Sequence, residues 1–173
     1  MSIPFHWGIE PEERSLSFPC DGILEHAETA WYRGITVRAP AEVLFRWLCQ
    51  MKVASYSYGR KSPQSLTPGV DELAVGQRVM RSFDLVDFER PRHLTIRLRE
   101  DSPESRFVRD VAVSYLVVAG PDTSRLLVKA RVRYRRGPLG WLMSLLVPWG
   151  DLLMMRKQLL NFKRLSEKTS RDS

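Results

Sequence analysis

At 173 residues the chain has the length of one domain. Apolar residues make up 43% and charged residues 27%, enough to bury a core, which excludes collagen-like, coiled-coil, low-complexity and disordered classes. Lysine and arginine number 27 against 20 acids, a formal charge of +7 that favours an anionic ligand, membrane surface or nucleic acid without selecting among them.

The first thirty residues scatter Pro4, Pro11, Pro19 and Gly22 among aromatics with no sustained period, so they read as an ordered but irregular lead-in. Residues Met1 to Glu13 lack the basic segment and apolar run of a secretory signal, and a cytoplasmic location is expected. Ala30 to Arg38 is rich in β-formers and predicts a strand ending before Pro40. Pro40 and Glu42 then open a helix whose Val43, Leu44, Trp47, Leu48 and Met51 share one face, ending near Lys52. Cys49 within it reads as a small buried thiol, and with Cys20 as the only other cysteine no disulfide framework is implied.

Val53 to Ala74 is broken by serines, prolines and glycines and predicts a long loop of the kind that often carries function. Alternation from Val79 to Val86, from His93 to Arg99, from Phe107 to Val118 and from Arg125 to Tyr134 predicts four antiparallel strands. In the last of these Leu126, Val128, Ala130, Val132 and Tyr134 face one way. Arg125, Lys129, Arg131 and Arg133 face the other, which should be wet.

Gly137 and Pro138 open a long helical segment that Pro148 is expected to kink or divide, with a fraying polar tail from Ser166. Leu139 to Met155 approaches the length of a membrane span. Pro148, Gly150 and Asp151 interrupt it, and a mid-span charge costs roughly 2.5–3.5 kcal/mol, so a transmembrane helix is not expected.

Strand, helix, loop, successive antiparallel strands and one long C-terminal helix make an α+β chain. Its pieces "ITVRAPAEVLFRWLCQM", "YSYG" at Tyr56 to Gly59, "LAVGQRV" at Leu73 to Val79, "SRLLVKARVRYR" at Ser124 to Arg135 and "LLMMRKQLLNFKRLSE" at Leu152 to Glu167 resemble the START-like (SRPBCC) superfamily, which includes polyketide cyclases and the birch-pollen allergen. The upstream "FPCDGIL" is similar to a lead-in of one bacterial branch, whereas Gly59 stands where that branch commonly carries aspartate. The resemblance implies a helix-grip fold, a curved antiparallel β-sheet wrapped around a long C-terminal helix, enclosing a cavity for lipids, polyketides or other apolar molecules. The chain divides accordingly into a lead-in over residues 1–29, the helix-grip domain over 30–168 and a flexible tail over 169–173.

No Gly-x-Ser-x-Gly elbow, phosphate-binding loop or dinucleotide fingerprint occurs. His6, His26 and His93 are scattered without metal-ligand spacing, so neither a metal nor a cofactor is expected. The candidate ligand-binding residues are Tyr56, Tyr58, Arg81, Phe83, Arg109, Val113, Tyr115, Trp149 and Leu153. Tyr56 and Tyr58 either pack the loop or aim hydroxyls at a ligand. By strand parity Arg109 shares the face of Val111, Val113 and Tyr115, where it would hold an oxyanion, unless the strand bulges or the side chain reaches water at the rim. Met143, Met154 and Met155 offer an adaptable apolar wall.

The function expected is binding, transport or sequestration of a small hydrophobic molecule. A cyclase- or dehydratase-like enzyme and a peripheral protein contacting anionic membrane through Lys129, Arg131, Arg133 and the Trp141–Trp149 helix are the alternatives. Without aromatics interleaving the basic strand, nucleic acid is not an expected partner.

Overall fold

The computed structural model describes residues 3–57 and 62–173, so the expectations for Tyr58 and Gly59 lie outside the described residues. The elements are β1 (His6–Trp7), α1 (Cys20–Ile23), β2 (Thr29–Val37), α2 (Ala41–Cys49), β3 (Arg78–Val79), β4 (Phe83–Glu89), β5 (His93–Leu98), β6 (Val108–Ala119), β7 (Ser124–Tyr134) and α3 (Pro138–Arg171). The seven strands form one open sheet in the order β1-β2-β7-β6-β5-β4-β3. β1 runs parallel to β2, and every other neighbouring pair is antiparallel, so the sheet is mixed through a two-residue edge strand contributed by the lead-in. This is an α+β helix-grip fold, with α2 and α3 packed against the sheet.

Period-two patterning decides which side of each strand meets the helices. In β2, Trp31, Arg33 and Val37 are buried, and in β7 Leu126, Val128, Ala130 and Val132 are buried, with Arg33 directly opposite Val128. Leu44 and Leu48 of α2 and Leu159, Phe162 and Leu165 of α3 complete this core. Trp47 Nε1 donates to Thr169 Oγ1 over 3.0 Å, and α3 continues through the expected tail to Arg171 because Ser166 is buried and Thr169 is held. Pro148 does not divide α3: it is buried within the unbroken helix, which tolerates the loss of one amide donor.

The opposite side of the sheet is not the wet face expected of it. The lead-in crosses it, placing Phe18, Cys20 and Leu24 on Ala112 and Leu127 as a second apolar cluster. Gly8, at φ 66°, permits the close crossing, since a Cβ there would strike the Gly34 carbonyl oxygen. Lys129 is buried, bonded to Asp21 at 2.6 Å and seated over the Phe18 and Tyr32 rings at 5.4 and 5.2 Å. Arg131 reaches Asp21 and the Glu25 carbonyl, Arg133 reaches the His26 carbonyl, and Arg125 pairs with Glu13 at 2.6 Å. Burial opposes the Asp21 charge, but hydrogen bonds from Lys129 and Arg131 outweigh it and hold the carboxyl below its ordinary range. These arginines and the lysine fasten the lead-in to this side of the sheet.

The strand expected over Val79–Val86 is also interrupted. Met80 and Arg81 adopt left-handed φ values of 48° and 69°, separating β3 from β4, and the Met80 amide donates to the Met51 carbonyl over 2.9 Å. That bond ties the break to the end of α2.

Candidate functional site

Between the sheet and α3 lies a cavity of about 500 Å³, within the range that holds a small organic ligand. Its helical wall is Asp151, Met154, Met155 and Gln158, spaced i, i+3, i+4, i+7 so that all four share one side of α3. The sheet supplies Val111, Val113 and Tyr115 from alternate positions of β6, with Ala130 of β7 and Phe83 of β4. The segment from Met51 to Ser57 and the Met80–Ser82 break close the remaining side. Among the lining residues Val53, Arg81, Glu104 and Met154 are exposed and mark the mouth.

Two polar groupings stand inside this apolar chamber. Tyr115, fully buried, donates its hydroxyl to Gln158 Oε1 over 2.8 Å, and burial raises its pKa, so it stays a phenol. The Gln158 amide in turn donates to the Ser55 carbonyl and to the Met80 sulfur, joining helix, sheet and loop at one point. The second grouping is an ion pair: Arg33 Nη2 donates to Asp151 Oδ2 over 3.0 Å, with side chains 1% and 19% exposed. Arg33 Nη1 also donates to the Phe5 and Tyr32 carbonyls, tying in the lead-in.

Burial pushes the Asp151 carboxyl up to about 6, because the loss of water exceeds what the Arg33 charge and hydrogen bond return. The other carboxyl oxygen, Oδ1, accepts no hydrogen bond from the described residues. Asp151 itself lines the cavity. Met80, Arg81 and Tyr56 are the non-glycine residues with left-handed φ among those described, and all three lie on or beside the cavity wall. Such backbone conformations are energetically unfavourable and tend to persist at functional sites where surrounding structure enforces them.

Of the residues predicted from sequence, Arg81, Phe83, Val113 and Tyr115 line the cavity. Tyr56 does not: it is core, its hydroxyl donating to the Pro63 carbonyl over 2.9 Å and its ring packed on Trp47 and Phe162. Arg109 does not either. A register shift between Val108 and Asp110 bulges β6, breaks the parity and leaves Arg109 exposed outside the cavity, so its oxyanion role is withdrawn. Trp149 and Leu153 lie on the outward side of α3, 52% and 61% exposed, because the turn carrying Asp151 and Met155 faces inward instead.

Sequence reasoning missed Arg33, Asp151 and Gln158. Their signal was a lone cation at an inward strand position and a lone acid in the apolar first half of α3, with Met154, Met155 and Gln158 following at helical spacing.

The sequence matches no protein-family model and no curated protein. Solved structures do match. Norcoclaurine synthase from Thalictrum flavum, a point mutant in complex with a transition-state analogue, aligns at 12% identity over 82% of this chain and 95% of that one, with a TM-score of 0.55. Ara h 8.0201 aligns at 11% identity over 84% of this chain and 99% of that one, with a TM-score of 0.52. The di-domain ARO/CYC BexL from the BE-7585A biosynthetic pathway aligns at 14% identity over 84% of this chain and 53% of that one, with a TM-score of 0.53. With the strand order, the long C-terminal helix and the cavity between helix and sheet, these likenesses show that the chain has the helix-grip fold.

Proposed function

We propose that the protein binds a small hydrophobic molecule bearing a hydrogen-bond-donating polar end, in a cytoplasmic transport or sequestration role. The observation that carries this reading is the chamber itself: about 500 Å³ of mostly apolar wall in which Asp151 Oδ1 has no hydrogen-bond donor among the described residues. Phe83, Val113 and the methionines would hold the apolar body, the flexible thioethers accommodating an irregular outline. A hydroxyl or amine on the ligand would meet Asp151, while Arg81 at the mouth would contact whatever portion stays near solvent. At neutral pH the Arg33–Asp151 pair carries no net charge, which suits an uncharged ligand better than a strongly ionic one.

The test is native mass spectrometry of freshly purified protein for an apolar adduct, together with displacement of a fluorescent apolar probe by long-chain alcohols. Val113→Phe, which fills the chamber from the sheet side, is expected to abolish saturable probe binding while leaving the fold intact. Absence of saturable binding to the unaltered protein overturns the reading.

One observation supports a catalytic variant of the same site. A carboxyl poised near 6 in an enclosed chamber can exchange a proton near neutral pH, the requirement for a cyclase- or dehydratase-like step on a carbonyl compound. Turnover of such a compound, lost in Asp151→Asn but with binding retained, would select this variant over the carrier.

A further inference from the structure

The outward side of the first half of α3 is apolar and uncovered. Trp141, Leu142, Leu145, Leu146, Trp149 and Leu153 recur at three- and four-residue spacing and are all exposed, Trp141 to 67%. Such a contiguous patch is uncommon on a soluble monomer unless something docks there. The helix as a whole packs on β2, α2 and β7, and its first half is fixed inward through Asp151 to Arg33. Although α3 is long and apolar enough to cross a membrane, these contacts hold it along the sheet.

The charges around the patch select its occupant. Between residues 135 and 166 the bases are Arg135, Arg136, Arg156, Lys157, Lys163 and Arg164, and the lone acid is Asp151, which points inward to Arg33. Past Leu153 the outward row of α3 changes from apolar to basic at Arg156 and Lys157, both exposed. At the other end Arg135 donates to the Ser105 carbonyl over 2.9 and 2.7 Å, which brings exposed Arg106 and Phe107, and with them exposed Glu104, beside the start of the helix. Two exposed tryptophans in an apolar strip with basic residues at both ends match the chemistry of an anionic bilayer interface. The strip also meets the cavity mouth, since Leu153 adjoins the exposed lining residue Met154.

We propose that the outward side of α3 docks on anionic membrane, lying in the plane of the interface and presenting the mouth of the cavity to lipid. The proposal does not depend on what fills the cavity, because docking is measured on the surface alone.

Cosedimentation with vesicles of phosphatidylcholine, and of equimolar phosphatidylcholine and phosphatidylglycerol, tests it. The protein is expected to be retained on the mixed vesicles at low salt and released as ionic strength rises. Trp141→Glu with Trp149→Glu should abolish retention. Both side chains are exposed, so circular dichroism should show an unchanged fold. Arg136→Glu with Lys157→Glu should weaken retention by at least roughly fivefold for each base removed from the surface. Equal and negligible retention on both vesicle types overturns the proposal. Self-association that the double Trp→Glu variant abolishes, without vesicle retention, overturns it in favour of a second copy on this face.

Discussion

Arg33 and Asp151 meet at 3.0 Å across the interior, one from an inward position of β2 and the other from the cavity side of α3. Among the described residues neither has a second partner of opposite charge, and Arg33 Nε has no hydrogen-bond partner. Arginine cannot shed its proton, so removing the acid strands a buried cation, whereas removing the arginine lets Asp151 neutralise itself. Asp151→Leu is expected to cost about 3–5 kcal/mol at neutral pH. The double variant Arg33→Met, Asp151→Leu should cost clearly less than the sum of the two single changes. Urea unfolding of the four proteins reads the coupling, and simple additivity would show that the pair is not energetically linked.

The same carboxyl makes stability depend on pH in a direction opposite to that of Asp21, Glu13 and Glu167, whose values are lowered. Asp151 titrates near 6 in the folded protein and near 3.9 when unfolded. Between those values the folded state binds the extra proton, so this group's contribution is greatest in acid and declines as pH rises toward and through 6. The stability of the unaltered protein minus that of Asp151→Asn should therefore fall by up to about 3 kcal/mol from pH 4 to pH 7 and level off above. A difference that rises over this range would mean that Arg33 outweighs burial.

Ligand recognition by Asp151 can be separated from apolar packing by paired probes. A long-chain alcohol and its methyl ether share nearly the same apolar body, but only the alcohol can donate to Asp151 Oδ1. Asp151→Asn should weaken the alcohol by about one to two decades, the value of roughly 1.5–3 kcal/mol for a hydrogen bond to a charged group, and leave the ether nearly unchanged. Equal losses for both probes, read by displacement of the fluorescent probe, would remove Asp151 as the recognising group.

How far the sequence could be read depended on how local the determining pattern was. The strand Ala30–Arg38, the helix after Pro40 and the last two strands followed from period and turn residues within each segment, and the structure places them within a residue or two. Where pairing between distant segments decided the outcome, local pattern misled. Arg125, Lys129, Arg131 and Arg133 looked solvated because nothing in that strand reveals that Glu13, Asp21 and the backbone near His26 would cover them. Strand parity alone turns Arg109 inward, and the bulge weighed against that placement is the one present between Val108 and Asp110. The cavity was half legible: β6 and β4 gave Val113, Tyr115 and Phe83, but on α3 the bulky Trp149 and Leu153 drew attention to the wrong side of the helix. The informative residues there were the polar ones, Asp151 and Gln158, which an apolar helix does not bury without a partner.

Arg81 provides a direct measure of how much strain the cavity wall holds. Its φ of 69° lies in the region where a Cβ crowds the backbone, yet its side chain is exposed at the mouth. Arg81→Ala and Arg81→Gly remove the same guanidinium and differ in that the Cβ strain stays in the first and disappears in the second. Glycine also gains freedom in the unfolded chain, which offsets part of the relief. The glycine variant should nonetheless be the more stable of the two, by up to about 1 kcal/mol. Chemical denaturation checks the order. If alanine proves the more stable, the left-handed turn at Met80–Arg81 is not enforced by the Met80–Met51 backbone bond, and this part of the wall is free to rearrange around a ligand. If glycine is the more stable and probe affinity is equal in both variants, the strain shapes the wall without bearing on what the cavity binds.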